Sequence, residues 1–409
     1  MFKFLYEIKG NARACLFTEP LWGIPFNLYA PFMTLYMFHL GVLDAQIGII
    51  MAVGRLFQMA TSIIGGIVTD KFGRRLTTFV SDLIAWSIPT LIWTFSQNFW
   101  WFLAAAIIGS TWMISAVSWE CLLVEDEDES KIGTVFNWVY ISGLLAVFFA
   151  PIAGVFVGVF GVVPVVRIIF FFAFITMTAK FIILFVYSTE TEMGKKRIAT
   201  TKKLPLIETL VGYREVLVQI KNSKTMLVAL TLQTVVQVKL LVTTTFFALY
   251  ATIDLNIPEA FMGYFPILRA FVMLAFLLFI QEKLNVFKHK NIMLVGLCVY
   301  ISAFVWLLIA PIGNWMWLGI YVIVEACAAA LMLPRIDTMA ANAMAGIERA
   351  RIRAVFNMTI MAITSPFAIL AGVLSDMNRQ LPFMLNIALM VVLMVVVMSY
   401  RAKDTKALH

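Results

Sequence analysis

Charge is what this sequence has least of. Only 13% of its 409 residues are charged, against 62% hydrophobic, whereas a soluble domain carries about 25% charged residues. A soluble core cannot hide so much apolar surface, and exposed apolar patches on that scale aggregate. The scarcity therefore excludes an ordinary soluble chain and calls for a lipid-facing surface. Cysteine is sparse too. Cys15, Cys121, Cys298 and Cys327 form no CxxC pair, and the three histidines are scattered. That pattern offers neither a disulfide framework nor a zinc site, so no metal and no cofactor is expected. HExxH, GxSxG and a P-loop are all missing, which argues against a membrane enzyme and against ATP drive within the chain. The first segment lacks a small-residue cleavage site, so it reads as a retained span rather than a signal peptide.

What is abundant is long apolar runs. A spanning helix needs about 20 mostly apolar residues. Twelve such runs are predicted, at 17–39, 45–69, 76–97, 99–123, 134–160, 162–187, 225–251, 258–280, 291–310, 314–334, 354–375 and 381–400. An even number puts both ends of the chain on one side. Of the 31 Lys and Arg, all but Arg55, Arg167, Lys180, Lys239, Arg269 and Arg379 fall in loops that share a side with the termini. Cytoplasmic loops are enriched in these residues, so both termini are expected in the cytoplasm, with the chain in the plasma membrane and the lipid bilayer as its surroundings. The formal charge of +8 then reflects topology. Spread over short loops, it does not point to nucleic acid.

The fold class expected is all-α, an integral membrane protein of twelve helices in two pseudo-symmetric six-helix bundles. The long polar interruption at 188–224 separates residues 1–187 from residues 225–409. Within it, 204–220 has the pattern of an amphipathic helix. The halves echo each other: "KIGTVFN" (131–137) enters the fifth run and "RIRAVFN" (351–357) the eleventh, and each then reaches an Ala-Gly pair. Two repeats of six spans describe a secondary transporter.

The stretch "GGIVTDKFGRR" (65–75) joins the second and third runs. Gly66, Asp70, Lys71, Gly73, Arg74 and Arg75 fit G-x-x-x-D-[RK]-x-G-[RK]-[RK]. In that motif and in its topology the chain resembles the major facilitator superfamily. The resemblance implies a central cavity between two bundles, alternating access, and a loop that acts as a gating latch. The physics agrees. Gly73 permits a tight turn, Asp70 can pair with bases or face a helix N-terminus, and Glu120, Glu125 or Asp126 at the end of the fourth run can receive Arg74 or Arg75. The fifth run carries "APIAG" (150–154) where many exporters of this resemblance place a glycine before the proline, which weakens the case for drug efflux.

A charge near the bilayer centre is costly and marks a functional candidate. Four lie in mid-run: Arg55, Lys239, Arg269 and Glu325. The resemblance places the first, fourth, seventh and tenth helices around the cavity, which favours Lys239 and Glu325. Glu325 can neutralise a base and carry a proton. Three bases against one acid leave room for an anionic group on a solute. Glu19, Asp82 and Lys180 lie nearer the run ends and are assigned to snorkelling or gating. Aromatic stripes run along the first helix (Trp22, Phe26, Tyr29, Met33, Tyr36), the fourth (Trp112, Ser115, Trp119) and the tenth (Trp317, Tyr321, Glu325). Such faces suit sugar rings and drug-like cations alike. Asn27 and Gln237 offer polar contacts, although Gln237 and Lys239 are about 200° apart on a helix.

The expectation is a monomeric, proton-gradient-driven transporter of a small polar organic solute, a sugar or anionic sugar derivative, with an efflux antiporter of drugs or metabolites as the alternative and an uncoupled facilitator also open. The candidate binding set is Arg55, Lys239, Arg269, Glu325, Asn27, Tyr29, Trp112, Trp119, Gln237 and Tyr321. The candidate latch is Gly66, Asp70, Lys71, Gly73, Arg74, Arg75 and Glu120.

Overall fold

Proline decides the form of the first crossing. Where one continuous helix is expected over 17–39, the chain makes helices Gly10–Thr18 and Pro20–Tyr29, a 3-10 turn Ala30–Phe32 and a helix Met33–His39. Pro20 sits in a first turn, where its missing N–H costs nothing, but Pro25 lies inside a helix and Pro31 in the 3-10 turn. Each interior proline removes a donor and crowds the carbonyl one turn back. This computed structural model describes residues 8–201, 213–284, 287, 289–343 and 349–399.

Among the described residues, eleven further helices are long and apolar enough to cross a membrane, from Asp44–Phe72 to Leu381–Ser399. With the segmented first run they make twelve crossings. Glycine punctuates them where the backbone needs a positive φ. Gly161 (φ 81°) separates Ala150–Phe160 from Val162–Tyr187. Ser223 caps Lys224–Leu249 by accepting the Met226 N–H at 3.3 Å, the usual role of serine at that position. Of the amphipathic helix expected over 204–220, residues 202–212 lie outside the described residues, and Tyr213–Asn222 is helical.

Two compact units emerge: Met1–Val42 with Val53–Val211, and Leu43–Ala52 with Gly212–His409. The division differs from the expected one at residues 43–52. Those residues open the helix Asp44–Phe72 yet pack with the second unit. Small residues explain it. A Cβ on Gly48 would stand 2.5 Å from the Ala368 carbonyl oxygen and 2.9 Å from the Gly372 Cα. Two backbones this close admit only glycine, as is common between membrane helices. Ser365 Oγ donates to the Ala52 carbonyl at 3.0 Å in the same seam.

Candidate functional site

The loop at 70–75 is built around Gly73, whose φ of 86° and ψ of 163° fall in a region reserved for glycine. That conformation ends Asp44–Phe72 and starts Arg74–Asp82 at once. The Glu190 carboxylate fills the new helix N-terminus, accepting the Arg74 N–H at 2.9 Å and the Arg75 N–H at 3.1 Å, where partial positive charge favours an acid. Arg74 is buried. It meets Glu125 in a bidentate pair at 2.9 and 3.0 Å and reaches Asp70 at 3.0 Å. Thr191 donates to Glu125 from the other side. Arg75 donates to the Phe185 carbonyl at 2.7 Å and lies 4.1 Å from that residue's ring centroid. Asn11 ties the segment down, accepting the Thr189 N–H at 2.8 Å and donating to its carbonyl at 2.9 Å. All these groups belong to unit 1.

One expectation for this loop needs correcting. Glu120 is exposed and takes no base among the described residues. Glu125, more than a turn further along, holds Arg74, because the helix Trp112–Val124 must end before an acid can bend back to the loop. Glu190, from beyond the sixth run, carried no motif and went unremarked. Gly66 has open space around it, and Lys71 is exposed, with its ammonium 6.0 Å from the Phe72 ring centroid.

Unit 2 gathers three of the mid-run charges. Lys239 on Lys224–Leu249 donates to Glu325 Oε1 at 2.6 Å, and Arg269 on Phe265–Phe279 donates to Glu325 Oε2 at 2.9 Å. Glu325 lies on Trp315–Ala343. Three helices thus converge on one carboxylate. Lys239 also reaches the Tyr300 hydroxyl at 3.3 Å and sits 4.4 Å from that ring's centroid, a favourable place for a cation. Exposure divides the trio: Lys239 is 2% and Glu325 5% exposed, but Arg269 is 36% exposed. Two bases share one acid, a net charge of +1. Tyr321 packs its ring near Phe247 and Phe304, at 5.4 and 6.2 Å.

The other mid-run candidates stand elsewhere. Arg55, in unit 1, has no ion pair or hydrogen bond among the described residues, and Gln237 is half-buried without one. Asn27 spends its amide on the Gly23 carbonyl of its own helix, at 2.8 Å. Tyr29 is buried against Trp93 and Phe170.

The aromatic stripes of the first and fourth helices do meet. Trp22, Trp112 and Trp119, joined by Trp86 from the third crossing, wall a cavity of about 450 Å³ in unit 1. Its charged lining is Glu19, Asp82 and Lys180, the three residues the sequence places at run ends. Segmentation of the first crossing and a widened turn in the third explain their convergence. A π turn, Leu83–Ser87, follows Asp82 directly; such bulges often accompany sites. Lys180 pairs with Glu19 at 2.8 Å and lies 5.7 and 5.9 Å from the Trp22 and Trp119 ring centroids.

A second charged knot, in unit 2, had no sequence signal beyond single residues. Arg379 donates to Asp44 at 3.0 Å and to Asp254 at 3.1 Å, and Ser375 donates to Asp44 at 2.7 Å. Burial works against the arginine's charge, but the hydrogen bonds and charges of the two aspartates outweigh it and raise its pKa. Arg379→Ala strands the buried Asp44 and is expected to destabilise the chain by about 3 kcal/mol, read as a lowered unfolding midpoint in detergent.

The Major Facilitator Superfamily model matches residues 21–368. An uncharacterized MFS-type transporter of Bacillus subtilis, YqjV, is 26% identical over 134 residues, 32% of each chain; the match spans about a third of that relative's length. Among solved structures, a mutant form of the nucleoside transporter NupG superposes with a TM-score of 0.73 at 16% identity, covering 94% of this chain and 99% of that one. A POT family transporter in complex with 5-aminolevulinic acid gives 0.69 at 14% identity, covering 94% of both. At such identities the structures speak for the fold alone.

Proposed function

This chain belongs to the major facilitator superfamily, as a multi-pass membrane transporter and not an enzyme, and from that premise we propose that it moves a small polar organic solute carrying an anionic group, coupled to protons. The observation that carries the reading is the Lys239–Glu325–Arg269 trio. Its one accessible member is a cation, and its net charge is +1. A solute carboxylate or phosphate drawn to Arg269 takes that guanidinium away from Glu325. The carboxylate then loses one of the two cations that hold it ionised and can take up a proton. Solute and proton therefore travel together. A sugar acid carries such a group. The nucleoside and 5-aminolevulinic acid named for the solved relatives are also small and polar. The site in the cell is proposed as the plasma membrane, with cytoplasmic termini and the proton gradient as drive.

The test is solute-induced proton movement in proteoliposomes enclosing a pH dye. A panel of sugars, sugar acids, nucleosides, dipeptides and 5-aminolevulinic acid is added outside. Symport predicts acidification of the lumen by one of them, and anionic members are expected to lead. The second reading, an antiporting exporter, rests on the indole walls and predicts lumenal alkalinisation instead. Solute flux without proton movement would indicate a facilitator.

A further inference from the structure

We infer that the unit 1 cavity binds an organic ammonium cation, with Asp82 as its counter-ion and the indoles of Trp22, Trp86, Trp112 and Trp119 as its walls. The inference goes beyond the transporter reading and rests on it only in taking the ligand to be cargo.

Charge balance carries the argument. Of the two acids lining the cavity, Glu19 is already paired with Lys180 at 2.8 Å. Asp82 is 6% exposed; Ser115 hydrogen-bonds it and the Lys180 charge reaches it, but no cation stands within ion-pair distance of it among the described residues. A buried carboxylate without a counter-ion of its own is costly. The lining as a whole carries two acids and one base, so a monocation neutralises it, whereas an anion raises the imbalance.

The walls favour the same ligand. Trp22 and Trp86 meet edge to face at 5.0 Å, and Trp22 stacks on Phe26 at 4.9 Å. An indole face attracts a cation more strongly than any other side-chain ring. The arrangement already holds one ammonium, that of Lys180, between Trp22 and Trp119. Neutral solutes gain stacking from such walls but nothing from Asp82's charge. The cavity's volume of about 450 Å³ falls within the size range of small-molecule sites, roughly 300–1,000 Å³.

Binding to the full chain in detergent tests this by calorimetry, with indole fluorescence as a second readout. Benzyltrimethylammonium and benzylamine are compared with benzyl alcohol, glucose and glucuronate. A desolvated cation–π contact is worth about 2 kcal/mol, so the ammonium probes should bind at least about ten-fold more tightly than benzyl alcohol. Asp82→Asn should lower that ratio several-fold, leaving the part owed to the indoles, with benzyl alcohol binding in place. Lys180→Gln frees Glu19, so it should strengthen cation binding several-fold; this variant keeps Asp82 and serves if Asp82→Asn does not fold. Equal binding of ammonium and alcohol, tighter binding of glucuronate, weaker cation binding in Lys180→Gln, or no binding by any probe overturns the inference. Tight, Asp82-dependent binding without proton-linked flux would leave this site standing and remove the symport reading instead.

Discussion

Glu325→Gln is expected to destabilise the chain by about 3–5 kcal/mol, the usual cost of removing one partner from a buried ion pair, and to abolish proton movement in the vesicle assay. The size follows from what remains. Lys239 is 2% exposed and would face Arg269 with no acid between them. Glutamine keeps the shape but can satisfy neither cation's charge. The companion experiment is Lys239→Met with Glu325→Gln. That pair leaves only Arg269, which is 36% exposed and no longer faces a second buried cation. The double variant is therefore expected to recover more than half of the lost stability, a coupling that a double-mutant cycle reads directly. Unfolding midpoints in detergent give the first quantity and lumenal pH the second. A single variant that costs under about 1 kcal/mol, as exposed pairs do, would mean the trio is not the buried unit described.

Gly73→Ala should have the second-largest effect, a loss of roughly 2–4 kcal/mol from backbone strain together with a lost helix cap. Two injuries combine. A φ of 86° with ψ of 163° is closed to residues with a Cβ. The new methyl would also stand 2.5 Å from Glu190 Oε2, so the carboxylate that caps the next helix must leave. With Glu190 displaced, the Arg74 and Arg75 N–H groups lose their acceptor. Solute flux should fall with stability, because the loop and the end of the sixth crossing no longer meet. Glu190→Gln separates the two causes. It keeps one acceptor oxygen, and so one of the two hydrogen bonds, without the charge, and should cost about 1–2 kcal/mol. Loss in Gly73→Ala no greater than in Glu190→Gln would rule out the backbone argument.

The sequence disclosed the fold more readily than the site, for a physical reason. Crossings announce themselves as runs of one polarity, and the first is cut into the most pieces, where Pro25 and Pro31 interrupt a pattern that hydropathy alone reads as unbroken. Lys239, Arg269 and Glu325 stood out because each is a charge inside such a run, and the structure brings them within hydrogen-bond distance. Arg55 met the same criterion yet stands apart, since mid-run position says nothing of which neighbour a helix face meets. Glu19, Asp82 and Lys180 were set aside as residues near run ends. Depth measured along a chain misleads when one helix is segmented and another carries a π turn. Glu125 was visible as an acid in the right place, but the cap from Glu190 was not. Its effect depends on a loop folding back across more than a hundred residues of sequence.

The broken first crossing has a mechanical consequence. Pro25 and Pro31 never donated to the carbonyls of Leu21 and Asn27, so flexing at those two joints severs no backbone hydrogen bond. Its lower piece can stay anchored by Asn11 to the Thr189 backbone while the upper piece swings. The element bearing Trp22 and Glu19 thus has two joints where bending breaks no such bond, while the interior Pro334 and Pro366 give their helices one each.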